Sequence, residues 1–137
     1  MRIPRPLAER VLAHARSGYP FEACGVFLGR PQGAGPAVVE DVMPVVNRET
    51  EKPRVRYQIA PEDLIRIDRD ARQRGLEILG YFHSHPDHPA RPSETDREHA
   101  WPWYSYLIVS VQRGEPTALT SWVLAEDRTE FHEEEVT

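Results

Sequence analysis

The chain has 137 residues, of which 39% are hydrophobic and 28% charged, proportions typical of a folded domain rather than a disordered segment. Its net charge of -5 argues against a non-specific nucleic-acid binder, because such proteins usually carry a basic face. No run approaches the roughly 18 apolar residues of a membrane span, and the first residues lack the apolar core of a secretory signal. A single cysteine rules out an internal disulfide framework and suits a reducing compartment. We therefore expect one soluble, cytoplasmic domain over residues 1–137.

The first third of the chain predicts a helix followed by a hairpin. Apolar residues at positions 7, 11, 12 and 15 form a stripe that predicts a helix over Leu7–Arg16, ended by Ser17-Gly18. Two apolar runs, Cys24–Gly29 and Ala37–Val46, predict strands. The Gly- and Pro-rich segment 30–36 between them predicts the turn of the hairpin.

The rest of the chain alternates between strands and helices. Val55–Ile59 alternates like a short strand, and Pro61 then opens a helix that Gly75 ends. A strand from Leu76 to His85 and a helix from Ser93 follow. The remaining apolar runs predict three more strands, over Tyr104–Val111, Ala118–Ala125 and Glu130–Val136. This order predicts an α/β fold with a mixed, mainly antiparallel sheet flanked by about three helices.

Residues 83–96 carry the chemistry of the chain, reading His-Ser-His-Pro-Asp-His-Pro-Ala-Arg-Pro-Ser-Glu-Thr-Asp. His83 and His85 share a face, because side chains two residues apart on a strand point the same way. Asp96, in the first turn of the next helix, could swing back to meet the two imidazoles. Two imidazole nitrogens and a carboxylate suit zinc, and three protein ligands leave the fourth position to water, as in catalytic sites. The pattern predicts a zinc-dependent hydrolase.

Each half of this pattern also has a purely structural explanation. Ser93-x-x-Asp96 fits a capping box, in which the serine side chain caps the helix. The acid at the third helical position accepts a hydrogen bond from the serine N–H in return. A His-x-His pair is more often exposed, or packed in a core, than bound to a metal. The two patterns fall at one strand end and one helix start across a proline-rich loop, and this conjunction favours the metal site.

A hydrolytic zinc site also needs a carboxylate that is not a ligand, to take a proton from water and hand it to the leaving group. Glu22 is the candidate, because it stands directly before the apolar run that begins at Cys24. A single Glu at that position lies by default on the solvent rim of the sheet. Cys24 itself could be a thiol nucleophile or a fourth ligand, but within an apolar run it is better explained as a small buried hydrophobe. We expect His88 and His99 at exposed positions.

Five residues in this spacing resemble the signature of the JAMM (MPN-plus) metalloproteases in their short, stand-alone prokaryotic form: Glu22, His83, His85, Ser93 and Asp96. The resemblance implies that the two histidines and Asp96 bind zinc, that Glu22 activates water, and that Ser93 stabilises the developing oxyanion. It also implies a curved sheet related to that of cytidine deaminases.

The same resemblance implies a substrate. Members of the family cut after the Gly-Gly tails of ubiquitin or ubiquitin-like proteins, and short bacterial forms resemble peptidases of sulfur-carrier proteins. We therefore expect hydrolysis of an amide bond at such a tail, extended by an amino acid or joined to a lysine. Two alternatives stay open. A non-catalytic binding module of this fold would typically have lost ligands, and a zinc nucleoside deaminase needs a P-C-x-x-C element that one cysteine cannot supply.

Two further segments are expected near the cleft. Residues 46–54 are polar and without apolar periodicity, which predicts a mobile loop. In similar enzymes such loops receive the substrate tail, so four residues are conceivable contacts, although solvated side chains are the simpler explanation for each: Asn47, Arg54, Arg56 and Tyr57. Trp101 and Trp103 are expected to pack inside the fold or to form one wall of the cleft.

Overall fold

The computed structural model describes residues 1–30, 33 and 35–137. Over these residues the chain forms three helices and six strands. The helices are α1 (Arg5–Gly18), α2 (Pro61–Gln73) and α3 (Glu94–His99). The strands are β1 (Cys24–Arg30), β2 (Val38–Val45), β3 (Glu77–Pro86), β4 (Ser105–Gln112), β5 (Glu115–Leu124) and β6 (Phe131–Glu134). The predicted turn at 30–36 includes residues 31, 32 and 34, which lie outside the described residues.

All six strands belong to one sheet, in the order β2-β1-β3-β4-β5-β6. Neighbours pair antiparallel except β3 and β4, which run parallel, so the chain between them crosses back along the sheet. The predicted fold class is therefore confirmed: a mixed, mainly antiparallel sheet with three helices. Because a parallel pair cannot be joined by a tight turn, residues 87–104 form a long connection that contains α3.

Helices α1 and α2 cover opposite faces of this sheet. Alternate residues of β1 point to the two sides: Phe27 packs in the cluster beneath α1, whereas Val26 and Leu28 pack with Ile67 and Ala71 of α2. Helix α2 begins at Pro61, whose missing N–H costs nothing at that position. Gly75, with φ of 69°, ends it in the left-handed region where glycine carries no steric penalty. On β3, Tyr81 faces α2, and His83 and His85, two and four residues further along the strand, share that face.

The segment Val55–Ile59 does not form the short strand that its alternation predicts. The N–H groups of Val55 and Arg56 both bond to the carbonyl of Lys52, which makes a turn. The alternation has another physical cause, because Tyr57 and Ile59 pack against the α2 cluster while Val55 is 47% exposed. No helix in the described ranges is both long and apolar enough to cross a membrane.

Candidate metal centre

Strand pairing places the two histidines and Glu22 side by side. Cys24 pairs with His83 in the antiparallel ladder of β1 and β3. Extending that register by two residues sets Glu22 opposite His85. Two bonds support the extension: Ser84 N–H donates to the Ala23 carbonyl (3.0 Å), and Ala23 N–H donates to Ser84 Oγ (2.8 Å). The side chains of Glu22 and both histidines are therefore on the α2 face at one end of the sheet.

Asp96 reaches the same point from the first turn of α3. The N–H of Asp96 donates to Ser93 Oγ (3.0 Å), and the N–H of Ser93 donates to Asp96 Oδ2 (2.8 Å), which makes a complete capping box. The carboxylate that closes this box also faces the imidazoles: Oδ1 lies 3.2 Å from His83 Nε2, and Oδ2 lies 3.1 Å from His85 Nε2. Ser93-x-x-Asp96 is therefore a helix cap, and the same carboxylate also lies where it could bind a metal ion.

The three side chains form a set of donors suited to a divalent cation. The Nε2 atoms of His83 and His85 are 3.1 Å apart, and one donor atom from each of the three residues lies within 4.8 Å of the others. His85 Nδ1 lies 2.9 Å from the Pro89 carbonyl, so that nitrogen carries the proton and Nε2 turns its lone pair inward. Within the described residues the set contains no fourth His, Cys, Asp or Glu. Two nitrogens and a carboxylate with a free fourth position fit a catalytic zinc site.

Electrostatics favour the charged form of Asp96. Burial works against ionisation of this carboxyl, but the adjacent imidazoles and the Ser93 N–H outweigh it and keep its pKa far below its usual range. The side chain is only 11% exposed, so its charge is poorly screened by water. The deprotonated form is the one in which a carboxylate can bind a metal ion.

Glu22 is buried beside this set and is not part of it. Its exposure is 5%, and its Oε1 atom has no hydrogen-bond partner among the described residues. Burial, followed by repulsion from Asp96, raises the pKa of Glu22 to about 9. The default expectation of a glutamate on the solvent rim is wrong here. The contacts are non-local: the 46–58 loop is hydrogen-bonded to the backbone of Glu22 on both sides, through Asn47 and Pro53.

One side chain, Asn47, organises that loop. Its Nδ2 donates to the carbonyls of Glu22 and Arg56 (3.0 Å each), and its Oδ1 accepts from the N–H groups of Glu49 and Gln58 (3.0 Å each). Glu22 N–H in turn donates to the carbonyl of Pro53 (2.7 Å). The loop and the backbone of Glu22 therefore hold one another in place. The sequence suggests Asn47 only as a conceivable substrate contact. No local pattern predicts that its side chain holds the loop together.

Tyr57, from the same loop, lies against the candidate ligand His83. Its ring stacks on the His83 imidazole with centroids 4.6 Å apart and 23° between the planes. His83 is 1% exposed, and its Nδ1 has no hydrogen-bond partner among the described residues. The ring of Tyr57 therefore supplies the orientation that a hydrogen bond supplies for His85. Sequence alone suggested only a possible substrate contact for Tyr57.

Two clefts each have a candidate ligand in their walls. The first, here called the aromatic cleft, has a volume of about 450 Å³ and is lined by Tyr57, Tyr81, Asp96, Trp101 and Tyr106 among others. The second, here called the Glu22 cleft, has a volume of about 290 Å³, and its walls include Glu22, Val55, His85, His88, Arg91 and Ser93. One cleft wall thus contains Asp96 and the other contains His85.

Other candidate residues fall outside the ligand set. Cys24 is fully buried, and burial, reinforced by Glu22 and Asp63, raises the pKa of its thiol to about 12, which rules out a thiolate nucleophile at neutral pH. His88 and His99 are exposed, as expected. Trp101 forms part of a cleft wall while remaining 49% exposed, and Trp103, 68% exposed, stacks on it.

The fold and the three-ligand centre define a metalloprotein of the JAB type. The family model described as prokaryotic homologs of the JAB domain matches residues 4–125, and the chain belongs to this family. The resemblance to the short prokaryotic JAMM proteins is thereby confirmed.

Individual relatives agree with this assignment. The chain is 40% identical over 107 residues to a desampylase of Haloferax volcanii, covering 74% of each protein. It is 34% identical over 100 residues to a probable TtuB-protein conjugate cleaving protease of Thermus thermophilus, covering 72% of this chain and 63% of that one. The solution structure of a protein from Desulfitobacterium hafniense superposes with a TM-score of 0.85 at 36% identity, covering 99% of this chain and 90% of that one.

Proposed function

We propose that this chain is a zinc-dependent peptidase or isopeptidase that hydrolyses the amide bond at the C-terminal Gly-Gly tail of a ubiquitin-like or sulfur-carrier protein. One observation carries the proposal: three converging candidate ligands stand beside a buried glutamate outside the set, Glu22, and two of the three line clefts. The names of the two relatives, a desampylase and a conjugate-cleaving protease, support this class of substrate. The proposal treats residues 1–137 as one catalytic domain. It places the domain in the cytoplasm, since the single cysteine suits a reducing compartment.

His83, His85 and Asp96 would hold the zinc. Zinc is the proposed metal because two imidazoles and one carboxylate are a common ligand set of catalytic zinc in hydrolases. When bound, the metal would polarise the scissile carbonyl and lower the pKa of water toward about 7. The Pro89 carbonyl and the Tyr57 ring would fix the two imidazoles so that their lone pairs stay directed at one point.

Glu22 would move the proton. With a pKa of about 9 the carboxyl would hold its proton at neutral pH, and the positive charge of a bound zinc ion would lower that pKa. In its ionised form Glu22 would then accept a proton from the attacking water and return it to the leaving amine. The free Oε1 atom has no other described partner with which the water must compete. The bonds from Asn47 and to Pro53 would keep the glutamate backbone fixed during the transfer.

Ser93 would stabilise the oxygen that gains charge. Its Oγ accepts a hydrogen bond from Asp96 N–H, while no described residue accepts the proton of its hydroxyl. That O–H lines the Glu22 cleft and is free to donate to the oxyanion. One well-placed donor of this kind is worth on the order of 3 kcal/mol in the transition state.

The test of this function is a mass measurement. Zinc-loaded protein is incubated with ubiquitin-like and sulfur-carrier proteins that carry either a C-terminal extension after Gly-Gly or a lysine-linked conjugate. We expect loss of the mass beyond Gly-Gly, arrest by a chelator, and recovery when zinc is restored. His83→Ala serves as the control that cannot hold the metal. Unchanged masses for every substrate with fully loaded protein would refute the proposal.

A further inference from the structure

Ser84 stands between the two histidines of β3, and its side chain points the other way. Because side chains alternate along a strand, His83 and His85 project toward α2 and Ser84 projects toward the opposite face. Ser84 is only 1% exposed. It therefore lies behind the candidate metal centre, on the side of the sheet away from it.

The hydroxyl of Ser84 replaces a bond that the sheet would ordinarily make. The register of β1 and β3 continues from Cys24 and His83 to Ala23 and Ser84, where Ser84 N–H donates to the Ala23 carbonyl at 3.0 Å. In a regular antiparallel pair of this kind the two residues exchange both bonds, so Ala23 N–H would donate to the Ser84 carbonyl. It donates instead to Ser84 Oγ, at 2.8 Å. A side chain rather than the backbone therefore sets how the residues before β1 lie against β3.

This bond holds the peptide group that joins Glu22 to Ala23. The N–H of the peptide group donates to Ser84 Oγ, and its carbonyl, which belongs to Glu22, accepts from Asn47 Nδ2 at 3.0 Å. Because a peptide group is planar, bonds at its two opposite ends fix the orientation of the plane. The preceding peptide group is held as well, since Glu22 N–H donates to the Pro53 carbonyl at 2.7 Å. Together these bonds determine the direction in which the Glu22 side chain leaves the backbone.

Ser84 differs from the other two restraints in the element that carries it. Asn47 and Pro53 belong to the 46–58 loop, whereas Ser84 is joined covalently to both candidate histidine ligands. Its hydroxyl therefore connects the Glu22 peptide group directly to the strand that carries the imidazoles. The distance between the proton-transfer group and the ligands is set through this bond.

We propose that Ser84 is a positioning residue whose hydroxyl fixes Glu22 relative to His83 and His85, so that the carboxyl group reaches the attacking water. This inference rests on the proposed function. Ser84 itself takes no part in proton transfer, because its side chain is on the other face of the sheet. A displacement of about 1 Å in a reacting group can cost about a hundredfold in rate. Loss of the hydroxyl should therefore lower kcat without loss of the metal.

The experiment removes the hydroxyl and then restores it. The substrate is a ubiquitin-like protein joined through its Gly-Gly tail to a lysine side chain. Ser84→Ala should lower kcat by about tenfold to a hundredfold, whereas KM and the zinc affinity, measured against a competing chelator, should stay close to those of wild type. Ser84→Thr keeps the hydroxyl and should recover most of the kcat. Ser84→Val has the shape of the threonine variant without the hydroxyl and should behave as alanine does, so this matched pair repeats the test if alanine fails to fold.

A second buried serine is the control for a purely structural effect. Ser121 of β5 is fully buried, and its Oγ donates to Glu134 Oε1 at 2.6 Å. Ser121→Ala should lower the unfolding temperature, because a buried hydrogen bond is lost, and should keep the wild-type kcat. Thermal unfolding checks that every variant is folded at the assay temperature.

Hydrogen exchange of the metal-free protein tests the bond without substrate. The Ala23 amide should exchange faster in Ser84→Ala than in wild type, and Ser84→Thr should restore its protection.

The outcomes separate this inference from the function on which it rests. A Ser84→Ala protein with the kcat of Ser121→Ala, or with an unchanged Ala23 exchange rate, would overturn the inference while the function stands. So would a zinc affinity that falls in parallel with kcat, because Ser84 would then support the ligands rather than Glu22. Wild-type protein that cleaves no substrate would overturn both.

Discussion

Asp96 and Ser93 bind one another reciprocally: each backbone N–H donates to the other's side-chain oxygen, at 2.8 and 3.0 Å. The Oδ2 atom that accepts from Ser93 is the one that lies 3.1 Å from His85 Nε2. The start of α3 therefore also sets the direction of a candidate metal ligand. Because the two functions share an oxygen atom, substitution of the cap should alter metal binding as well as stability.

Ser93→Ala should therefore lower both stability and metal affinity. Loss of a serine cap costs about 1 kcal/mol, and Asp96 loses the partner that fixes its helix turn. Thermal unfolding of the metal-free protein and a zinc titration against a competing chelator measure the two effects. Ser93→Thr keeps the cap oxygen and is the matched control. An alanine variant with unchanged stability and a large loss of turnover would assign Ser93 to the oxyanion alone.

Glu22→Gln should retain the metal and lose turnover. The amide has nearly the same shape but cannot accept and return a proton, and the loss of general acid–base catalysis costs about a hundredfold to ten-thousandfold in rate. Stability should not fall, because a buried carboxyl without a partner at Oε1 is replaced by a neutral group. Metal content, unfolding temperature and cleavage rate are compared with those of wild type. A glutamine variant that still cleaves at the wild-type rate contradicts the assigned function of Glu22.

Tyr57→Ala should weaken zinc binding, although Tyr57 is not itself a ligand. The stacked ring, with its centroid 4.6 Å from that of His83, holds an imidazole whose other nitrogen has no described partner. Groups that orient ligands typically contribute about tenfold to a hundredfold in metal affinity. Tyr57→Phe keeps the ring and should bind zinc as wild type does. If alanine and phenylalanine behave alike in a chelator competition, stacking does not support the ligand.

Asp41 should make the stability of the fold sensitive to acid. Partial burial opposes its ionisation, but hydrogen bonds from Arg74, the Val42 N–H and Arg10 outweigh that effect and hold its pKa below the ordinary 3.8. A folded-state pKa below the unfolded one stabilises the fold above the unfolded value, and the benefit disappears as pH falls through the folded value.

The variant Asp41→Asn tests the direction of this pH dependence of stability. It should unfold at a lower temperature than wild type at pH 7, and the difference should shrink progressively as pH falls below about 4. Unfolding temperatures measured across that range give the comparison. A difference that stays constant with pH would mean that the charge of Asp41 contributes nothing.

The parts of the site that the sequence predicted are those encoded locally. The spacing of His83 and His85 on a strand decides that their side chains share a face, whatever the rest of the chain does. The spacing of Ser93 and Asp96 likewise belongs to one helix turn. Strong apolar runs located the strands of the sheet, and Pro61 with Gly75 located α2.

The parts that were missed depend on contacts between distant segments. The contacts around Glu22 come from the 46–58 loop, which lies more than twenty residues away in the chain. The residues next to Glu22 in the sequence therefore give no sign of its burial. Asn47 and Tyr57 lie in a stretch without periodicity, so their contacts follow only from the folded arrangement. The alternation at Val55–Ile59 predicts a strand, but an irregular segment can also bury every second side chain. The pattern alone does not distinguish the two.

The parallel pairing of β3 with β4 has a consequence for how such a domain can diversify. It obliges residues 87–104 to travel back across the sheet, and this one stretch contributes Arg91 and Ser93 to one cleft and Asp96 and Trp101 to the other. A substitution or insertion in this one connection can therefore change the walls of both clefts, while Glu22, just before β1, and the two histidines of β3 lie outside it.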